Sequence, residues 1–284
     1  MASLRVFLAL SRLGGLPTVW SNCLAGWWLG GHGEANRLPW LMLGASLLYL
    51  GGSFLKDAWD APFDRQFRRA RPIPSGAVSA GAVLGLGLAW LVLGEACLFV
   101  AGPKVGCFGL GAILCAVTFD ATHRALVISP VLLGGCRLFV YLAAAVANQG
   151  ALEGWPIWCG LALALYVCGI RCLPRPAEVR GRSDYWPVLL LLAPILLALL
   201  MNVKQFRWPG LQLSAVVALW ILYCLRYAYW PIDRDFGRAV SGLVAGIAFV
   251  DWLAVLDVPR GLCVVFLGFF AASLLLGRLR PQPE

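Results

Sequence analysis

The amino-acid sequence predicts an all-α fold, a polytopic transmembrane helical bundle of about nine to ten helices. Of its 284 residues, 61% are hydrophobic and only 13% are charged, whereas soluble domains have roughly half apolar and about a quarter charged residues. The apolar residues occur in long runs separated by short polar breaks. We therefore expect a single integral-membrane domain over residues 1–284, without a sizeable soluble part.

Apolar runs long enough to be candidate spans recur along the whole chain. In order, they cover residues 14–31, 39–55, 77–100, 105–119, 125–148, 156–171, 187–203, 210–230, 240–257 and 261–277. Either one of the last two runs is an interfacial helix, or all ten runs are spans.

Arginine is concentrated in alternate breaks between these runs, at residues 56–76, 120–124, 171–184 and 231–239. Cytoplasmic loops of membrane proteins carry an excess of Arg and Lys, so these breaks are predicted to face the cytoplasm. Membrane topology thus explains most of the net charge of +9. A nucleic-acid partner is not expected, because the chain has no polybasic tail or soluble binding module.

Ten cysteines could suggest a disulfide framework or a metal site. Nearly all of them lie within or at the ends of apolar runs, where cysteine behaves as a small buried hydrophobe. Cys168 and Cys172 are spaced closely, but no matching His or Cys cluster accompanies them. The sequence therefore predicts neither zinc nor iron.

The strongest local signal follows the second apolar run. At about 100° per residue, Asp57, Asp60 and Asp64 fall within about 60° of each other on a helix, and Arg68 and Arg71 share that face if the helix continues. Diphosphate chemistry requires such a mixture, because Mg²⁺ binds hard oxygen ligands and Arg neutralises phosphate charge. The structural alternative is a solvated loop that follows the positive-inside rule.

Charged residues inside the apolar runs are also candidates. Placing Arg137 within a span costs at least ~2.5 kcal/mol on insertion scales, so such a residue usually faces a polar cavity or a partner. Glu95 and Asp251 also lie within apolar runs, and they too are expected to face a polar cavity or a partner.

The motif D-x-x-D-x-x-x-D followed by R-x-x-R-P-I-P-S-G resembles the first aspartate motif of the UbiA superfamily of intramembrane prenyltransferases. Thr122-His123-Arg124 resembles the family's basic pair, and Gly135-Cys136-Arg137 resembles its Gly-x-x-Arg stretch. The resemblance extends to the segment from Arg12 to Asn22. One departure is Lys56, which stands where the family's motif begins with Asn.

This resemblance implies that the helices surround a central cavity. It also implies an enzyme that transfers a prenyl group from an isoprenoid diphosphate to an apolar or aromatic acceptor within the membrane lipid. The implied cofactor is Mg²⁺, held by the catalytic carboxylates of Asp57, Asp60 and Asp64. Residues near the substrate would be Asn22, Arg68, Arg71, His123, Arg124, Arg137 and Glu178.

The family's second aspartate motif is degraded in this chain. The matching stretch, residues 166–178, has no Asp, and only Glu178 and the later Asp184 could supply oxygen ligands. A second Mg²⁺ should therefore bind weakly, while Arg171 and nearby arginines could partly neutralise a diphosphate without metal. This combination is similar to the divergent EboC-like branch of UbiA-related bacterial proteins, which implies the bacterial inner membrane.

Two other functions remain open from the sequence. A non-catalytic membrane carrier or transporter linked to secondary metabolism would keep the fold and one acidic motif for anion binding. A membrane phosphatase or phospholipid headgroup transferase would also use Mg²⁺ on phosphate, but the denser D-x-x-D-G-x-x-A-R pattern of the headgroup enzymes does not occur here.

Overall fold

The protein is described by a computed structural model that covers residues 7, 10–31, 35–122, 126, 128–148, 152–174, 182–202, 204–230 and 235–278. Within this part of the chain the regular structure is entirely helical. The α-helices are α1 (Leu16–Leu29), α2 (Arg37–Phe67), α3 (Ala80–Ala101), α4 (Pro103–Thr122), α5 (Ser129–Ala145), α6 (Gly154–Cys172), α7 (Pro187–Leu191), α8 (Ala193–Met201), α9 (Arg207–Tyr229), α10 (Phe236–Ala245), α11 (Ile247–Ala254) and α12 (Arg260–Arg278).

The predicted membrane bundle is confirmed. Eight helical segments among the described residues are long and apolar enough to cross a membrane: α2, α3, α4, α5 with the turn after it, α6, α9, α10 with α11, and α12. Large apolar side chains such as Val92 and Leu93 on α3 are exposed on the outer surface, where in water they would form a costly patch. The chain is therefore an integral, multi-pass membrane protein.

Short connections make successive membrane segments antiparallel, so the same end of the bundle collects alternate helix ends. That end contains the carboxyl ends of α2, α4, α6, α9 and α12, together with the amino ends of α1, α3, α5 and α10. The Arg-rich breaks predicted from the sequence connect helices at this end. The candidate site lies there.

Two of the apolar runs form broken helices rather than single ones. In the run that begins at residue 187, α7 and α8 meet at Leu192, and Pro194 in the first turn of α8 has no N–H to donate to the preceding turn. Residues 240–257 fall on α10 and α11, which meet at Gly246. A β-carbon there would lie 2.8 Å from the Tyr166 hydroxyl and 2.9 Å from Trp220 Cδ1, so only glycine fits this close crossing.

The core between α1, α2, α5 and α6 is packed through small residues. A β-carbon on Gly26 of α1 would lie 2.4 Å from the carbonyl oxygen of Tyr141 and 2.8 Å from the Ala144 β-carbon on α5. Small residues allow helix backbones to approach closely in membranes, where packing rather than the hydrophobic effect drives association. This contact fixes the position of α1 beside the polar face of α5.

Candidate active site

The three aspartates of the first motif lie together on one buried face of α2. The helix continues through Pro62 to Phe67, as the shared-face interpretation requires. Asp57, Asp60 and Asp64 are 8%, 6% and 2% exposed. Their burial so near a helix end requires compensating cations, because an unpaired charge in a low-dielectric region is strongly unfavourable.

Arginines from the following turn and from the start of the chain supply this compensation. Arg71 Nη1 lies 2.8 Å from Asp64 Oδ2 and 3.6 Å from Asp57 Oδ1. Arg68 Nη1 lies 3.8 Å from Asp64 Oδ1, an atom that is buried and accepts no hydrogen bond from the described residues. The two predicted arginines therefore do meet the motif face, and one carboxylate oxygen is left for another ligand.

Arg12 reaches the same face from the segment before α1. Its Nη2 donates to Asp57 Oδ1 at 2.5 Å, and its carbonyl accepts a hydrogen bond of 2.9 Å from the Tyr49 hydroxyl. Although burial disfavours its charged form, the adjacent Asp57 keeps the pKa of Arg12 above its ordinary value. Arg12 also has φ 48°, a left-handed conformation that is strained for a residue with a β-carbon and is often found at functional sites.

Lys56 and Asp120 form a second part of the cluster, and the sequence did not identify Asp120 as a site residue. Lys56 Nζ lies 3.4 Å from Asp60 Oδ2 and 3.9 Å from Asp120 Oδ1. It also lies 5.0 Å from the centre of the Phe119 ring, within the range of a cation–π contact. The side chain of Asp120 is only 4% exposed. The signal available in the sequence was an acidic residue directly after the apolar run 105–119.

A cavity of about 910 Å³ opens beside this cluster. Its described charged lining consists of Arg12, Lys56, Arg137, Arg171 and a single acid, Asp120. The rest of the wall is mostly apolar, with contributions from Ile113, Leu133, Val140, Val167, Val244 and Ile247. The cavity therefore combines a cationic region with an apolar region large enough for a chain.

Arg137 enters the cavity wall from within the membrane bundle. It is the ninth residue of α5, about 12 Å from the amino end of that helix at 1.5 Å per residue. Its Nη1 donates to Asn22 Oδ1 at 2.7 Å and its Nη2 to Thr18 Oγ1 at 3.0 Å. The Asn22 amide in turn donates to Asp251 Oδ2 at 2.7 Å.

This chain of hydrogen bonds gives the buried polar residues their partners. Ser21 Oγ also donates to Asp251 Oδ2, at 2.5 Å. Asn22 is fully buried and does not itself line the cavity, so it contributes to the site by holding Arg137. Glu95 lies apart, facing Gly109 of α4.

The remaining predicted substrate-binding residues, His123, Arg124 and Glu178, lie outside the described residues. The second-motif stretch is described as far as residue 174. Arg171, at the end of α6, lines the cavity and has its guanidinium carbon 5.9 Å from the centre of the Phe119 ring. In the described part of that stretch, a cation therefore faces the cavity.

Comparisons with known proteins agree with this architecture. A sequence model of the UbiA prenyltransferase family matches residues 16–250. Protoheme IX farnesyltransferase 1 of Lysinibacillus sphaericus (strain C3-41) is 30% identical over 120 residues, a match that spans 39% of this chain and 39% of that relative.

Solved structures share the fold over nearly the whole chain. A structure of digeranylgeranylglyceryl phosphate synthase has a TM-score of 0.61 at 16% identity, with 97% of this chain and 100% of that chain covered. A UbiA homologue from Archaeoglobus fulgidus, solved with GPP and Mg²⁺, has a TM-score of 0.52 at 14% identity, with 97% and 100% covered. At these identities the likeness is one of fold.

Proposed function

This chain belongs to the UbiA prenyltransferase family, and from that premise we propose that it transfers a prenyl group from an isoprenoid diphosphate to an apolar or aromatic acceptor within the membrane. The observation that carries the proposal is the cavity. Its cationic region suits a diphosphate, and its apolar region suits an isoprenoid tail. The Archaeoglobus homologue, which was solved with GPP and Mg²⁺, supports the same class of ligand.

The reaction begins with ionisation of the substrate. The bond between the first prenyl carbon and the diphosphate oxygen breaks, and that oxygen keeps the electron pair. Arg12, Lys56 and Arg171 line the cavity where this charge develops, and fixed cations in a water-poor site stabilise such charge more than water does. The acceptor then attacks the allylic carbon and loses a proton.

Mg²⁺ is part of the proposal, and the carboxylate face of α2 fits it. Among the described residues no three His, Cys, Asp or Glu side chains form a metal site by themselves. Mg²⁺ is commonly bound by one or two carboxylates together with substrate phosphates, and Asp64 Oδ1 is a buried oxygen available for such a bond. Asp57, Asp60 and Asp64 would hold the ion, which supplies further neutralisation of the leaving diphosphate.

The apolar part of the cavity has its own role. Its wall of branched aliphatic side chains excludes water from the allylic cation, which would otherwise be hydrolysed. The Arg-rich breaks at the site's end of the bundle support a cytoplasmic position for the site. We extend the proposal accordingly to the bacterial inner membrane, with the acceptor entering from the lipid.

The test is Mg²⁺-dependent release of diphosphate by the purified chain in detergent. Geranyl, farnesyl and longer allylic diphosphates would be supplied with a membrane extract as the source of acceptor. Asp60→Asn should reduce the rate by about 10²-fold or more, because it removes a carboxylate that would hold the Mg²⁺ neutralising the leaving diphosphate. Glu153→Gln, an exposed carboxylate at the opposite end of the bundle, is the matched control and should not change the rate.

A non-catalytic carrier is the second candidate, favoured by the fact that every aspartate of the first motif is already paired with a cation. Saturable binding of the allylic diphosphates with no release under any condition would establish the carrier and contradict the enzyme. Release that Asp60→Asn abolishes would contradict the carrier.

A further inference from the structure

Lys56 occupies a position between the motif carboxylates and the cavity. It lines the cavity, whereas Asp57, Asp60 and Asp64 do not. Its ammonium group contacts Asp60 on its own helix and Asp120 on α4. A diphosphate in the cavity would therefore meet the lysine before the carboxylate of Asp60.

The carboxylates of the cluster around Asp60 are already matched by cations among the described residues. Four carboxylates contact four cations here. The carboxylates are those of Asp57, Asp60, Asp64 and Asp120, and the cations are Arg12, Lys56, Arg68 and Arg71. A divalent ion entering beside Asp60 and Asp120 would have to displace Lys56 or share its oxygens, and either is opposed by repulsion between like charges.

Arg171, in the last turn of α6, presents a second cation to the cavity. Arg171 and Lys56 both lie near the ring of Phe119, at 5.9 and 5.0 Å from its centre. Both also line the cavity. Ammonium and guanidinium groups form short, charge-assisted hydrogen bonds with phosphate oxygens. The two cations together can hold a diphosphate without a carboxylate-bound metal ion between it and the protein.

We infer that Lys56 is a resident cation that binds the diphosphate directly and takes the place of one divalent metal ion. This inference rests on the proposed function, because it concerns the same ligand in the same cavity. It leaves in place a single Mg²⁺ bound through Asp64 Oδ1, the motif oxygen that accepts no hydrogen bond from the described residues, as a contributor to turnover. Its consequence is that binding of a prenyl diphosphate depends only weakly on Mg²⁺.

A purely structural role for Lys56 makes a different prediction. If the lysine only neutralises Asp60 and Asp120, its removal destabilises the fold but leaves the ligand's contacts and their metal dependence unchanged. Lys56→Asn separates the two roles, since it removes the charge while leaving Asp60 and Asp120 as ligands for a metal ion.

The experiment measures binding rather than turnover. The purified full chain in detergent is titrated with geranyl S-thiolodiphosphate, an analogue that resists ionisation, in EDTA and in Mg²⁺. We expect the wild-type Kd to change by less than about tenfold between the two conditions. Lys56→Asn should weaken binding in EDTA by about tenfold or more, the equivalent of one lost hydrogen bond to a charged group. Mg²⁺ should restore most of the affinity that this variant loses.

Two further variants and one further measurement complete the design. Lys56→Arg keeps a cation and should bind in EDTA as the wild type does, and Lys104→Asn, an exposed lysine at the other end of the bundle, should change nothing. Mg²⁺ should raise the Tm of Lys56→Asn more than that of the wild type, because the ion fills the site that the lysine has left.

Wild-type binding that disappears in EDTA would overturn the inference while leaving the proposed prenyl transfer intact. Binding by Lys56→Asn in EDTA that equals the wild type would also overturn it. A folded wild type that binds no diphosphate in either condition would overturn both proposals. If Lys56→Asn does not fold, the wild type and Lys56→Arg in EDTA decide the question.

Discussion

Arg71 holds two of the three motif carboxylates at once, through contacts of 2.8 Å to Asp64 and 3.6 Å to Asp57. Arg71→Ala leaves both acids with less compensation, so it should lower the free energy of unfolding by about 1 to 3 kcal/mol and abolish diphosphate release. Thermal unfolding in detergent and the release assay measure the two effects. Arg69→Ala, an exposed arginine in the same turn, is the control, and an equal loss in that variant would contradict the assigned role of Arg71.

Asp251 is the acceptor on which the buried polar network ends. Asp251→Leu leaves the Ser21 hydroxyl and the Asn22 amide without this acceptor, so it should destabilise the protein by about 1 to 3 kcal/mol for each unsatisfied donor. Asp251→Asn retains an oxygen that accepts both bonds and should have a smaller effect. The comparison of Tm values tests the network, and equal Tm values for the two variants would count against it.

At this scale the sequence could predict a face and the two arginines that follow it, but not the partners that come from distant parts of the chain. Helical periodicity alone places Asp57, Asp60 and Asp64 together, because their spacing and the continuation of α2 are local properties. Arg12 meets Asp57 from 45 residues away, and Asp120 belongs to another helix. Such pairings depend on how the helices pack, which residue spacing does not encode.

At the scale of the helices, the contact between α1 and α5 sets the position of the network around Arg137. Gly26→Ala would place a β-carbon 2.4 Å from the carbonyl oxygen of Tyr141. The two helices would have to separate, so we expect a loss of about 1 to 3 kcal/mol in stability. The effect should also reach activity, because Thr18 and Asn22 on α1 hold Arg137 on α5.

Gly85→Ala on α3 is the matched control for that substitution. A β-carbon on Gly85 meets no described atom within 4 Å, and alanine is favoured over glycine in a helix by up to about 1 kcal/mol. Its Tm should therefore stay the same or rise slightly. A fall in Tm as large as that of Gly26→Ala would show that the helical glycines act through backbone flexibility rather than through close packing.

The predicted spans agree with the helices where a single long apolar run forms a single helix. They differ where packing interrupts a run, at Leu192 and at Gly246. The second predicted span ends at residue 55, but α2 continues to Phe67. The polar residues that end the apolar run are buried against Arg12 and Arg71, so pairing of charges rather than apolar character sustains this last part of the helix.

At the scale of the whole molecule, the alternating helices bring residues from distant parts of the chain around one cavity. Arg12, Lys56, Asp120, Arg171 and Ser241 all line it. The family resemblance predicted a central cavity, and the bundle contains one. Its volume and the identity of most wall residues could not be predicted, because both depend on how side chains from many helices pack together.

The apolar wall offers a test of where the isoprenoid tail lies. Ile113 lines the cavity, while the next residue, Leu114, is 67% exposed on the outer surface of the same helix. Ile113→Trp should reduce the space for the tail, so the ratio of kcat/KM for geranyl over longer allylic diphosphates should rise by about tenfold, the size of effect that steric changes of a methylene group or more produce in apolar pockets.

Leu114→Trp places the same bulk against lipid and should leave that ratio unchanged. The comparison removes the general effects of a new tryptophan in α4, since both variants carry one at adjacent positions. If Ile113→Trp slows all chain lengths equally while remaining folded, the tail does not extend along this wall. A fall in kcat/KM confined to the longer substrates would mean that the packing of α4 sets the length of prenyl chain that the cavity accepts.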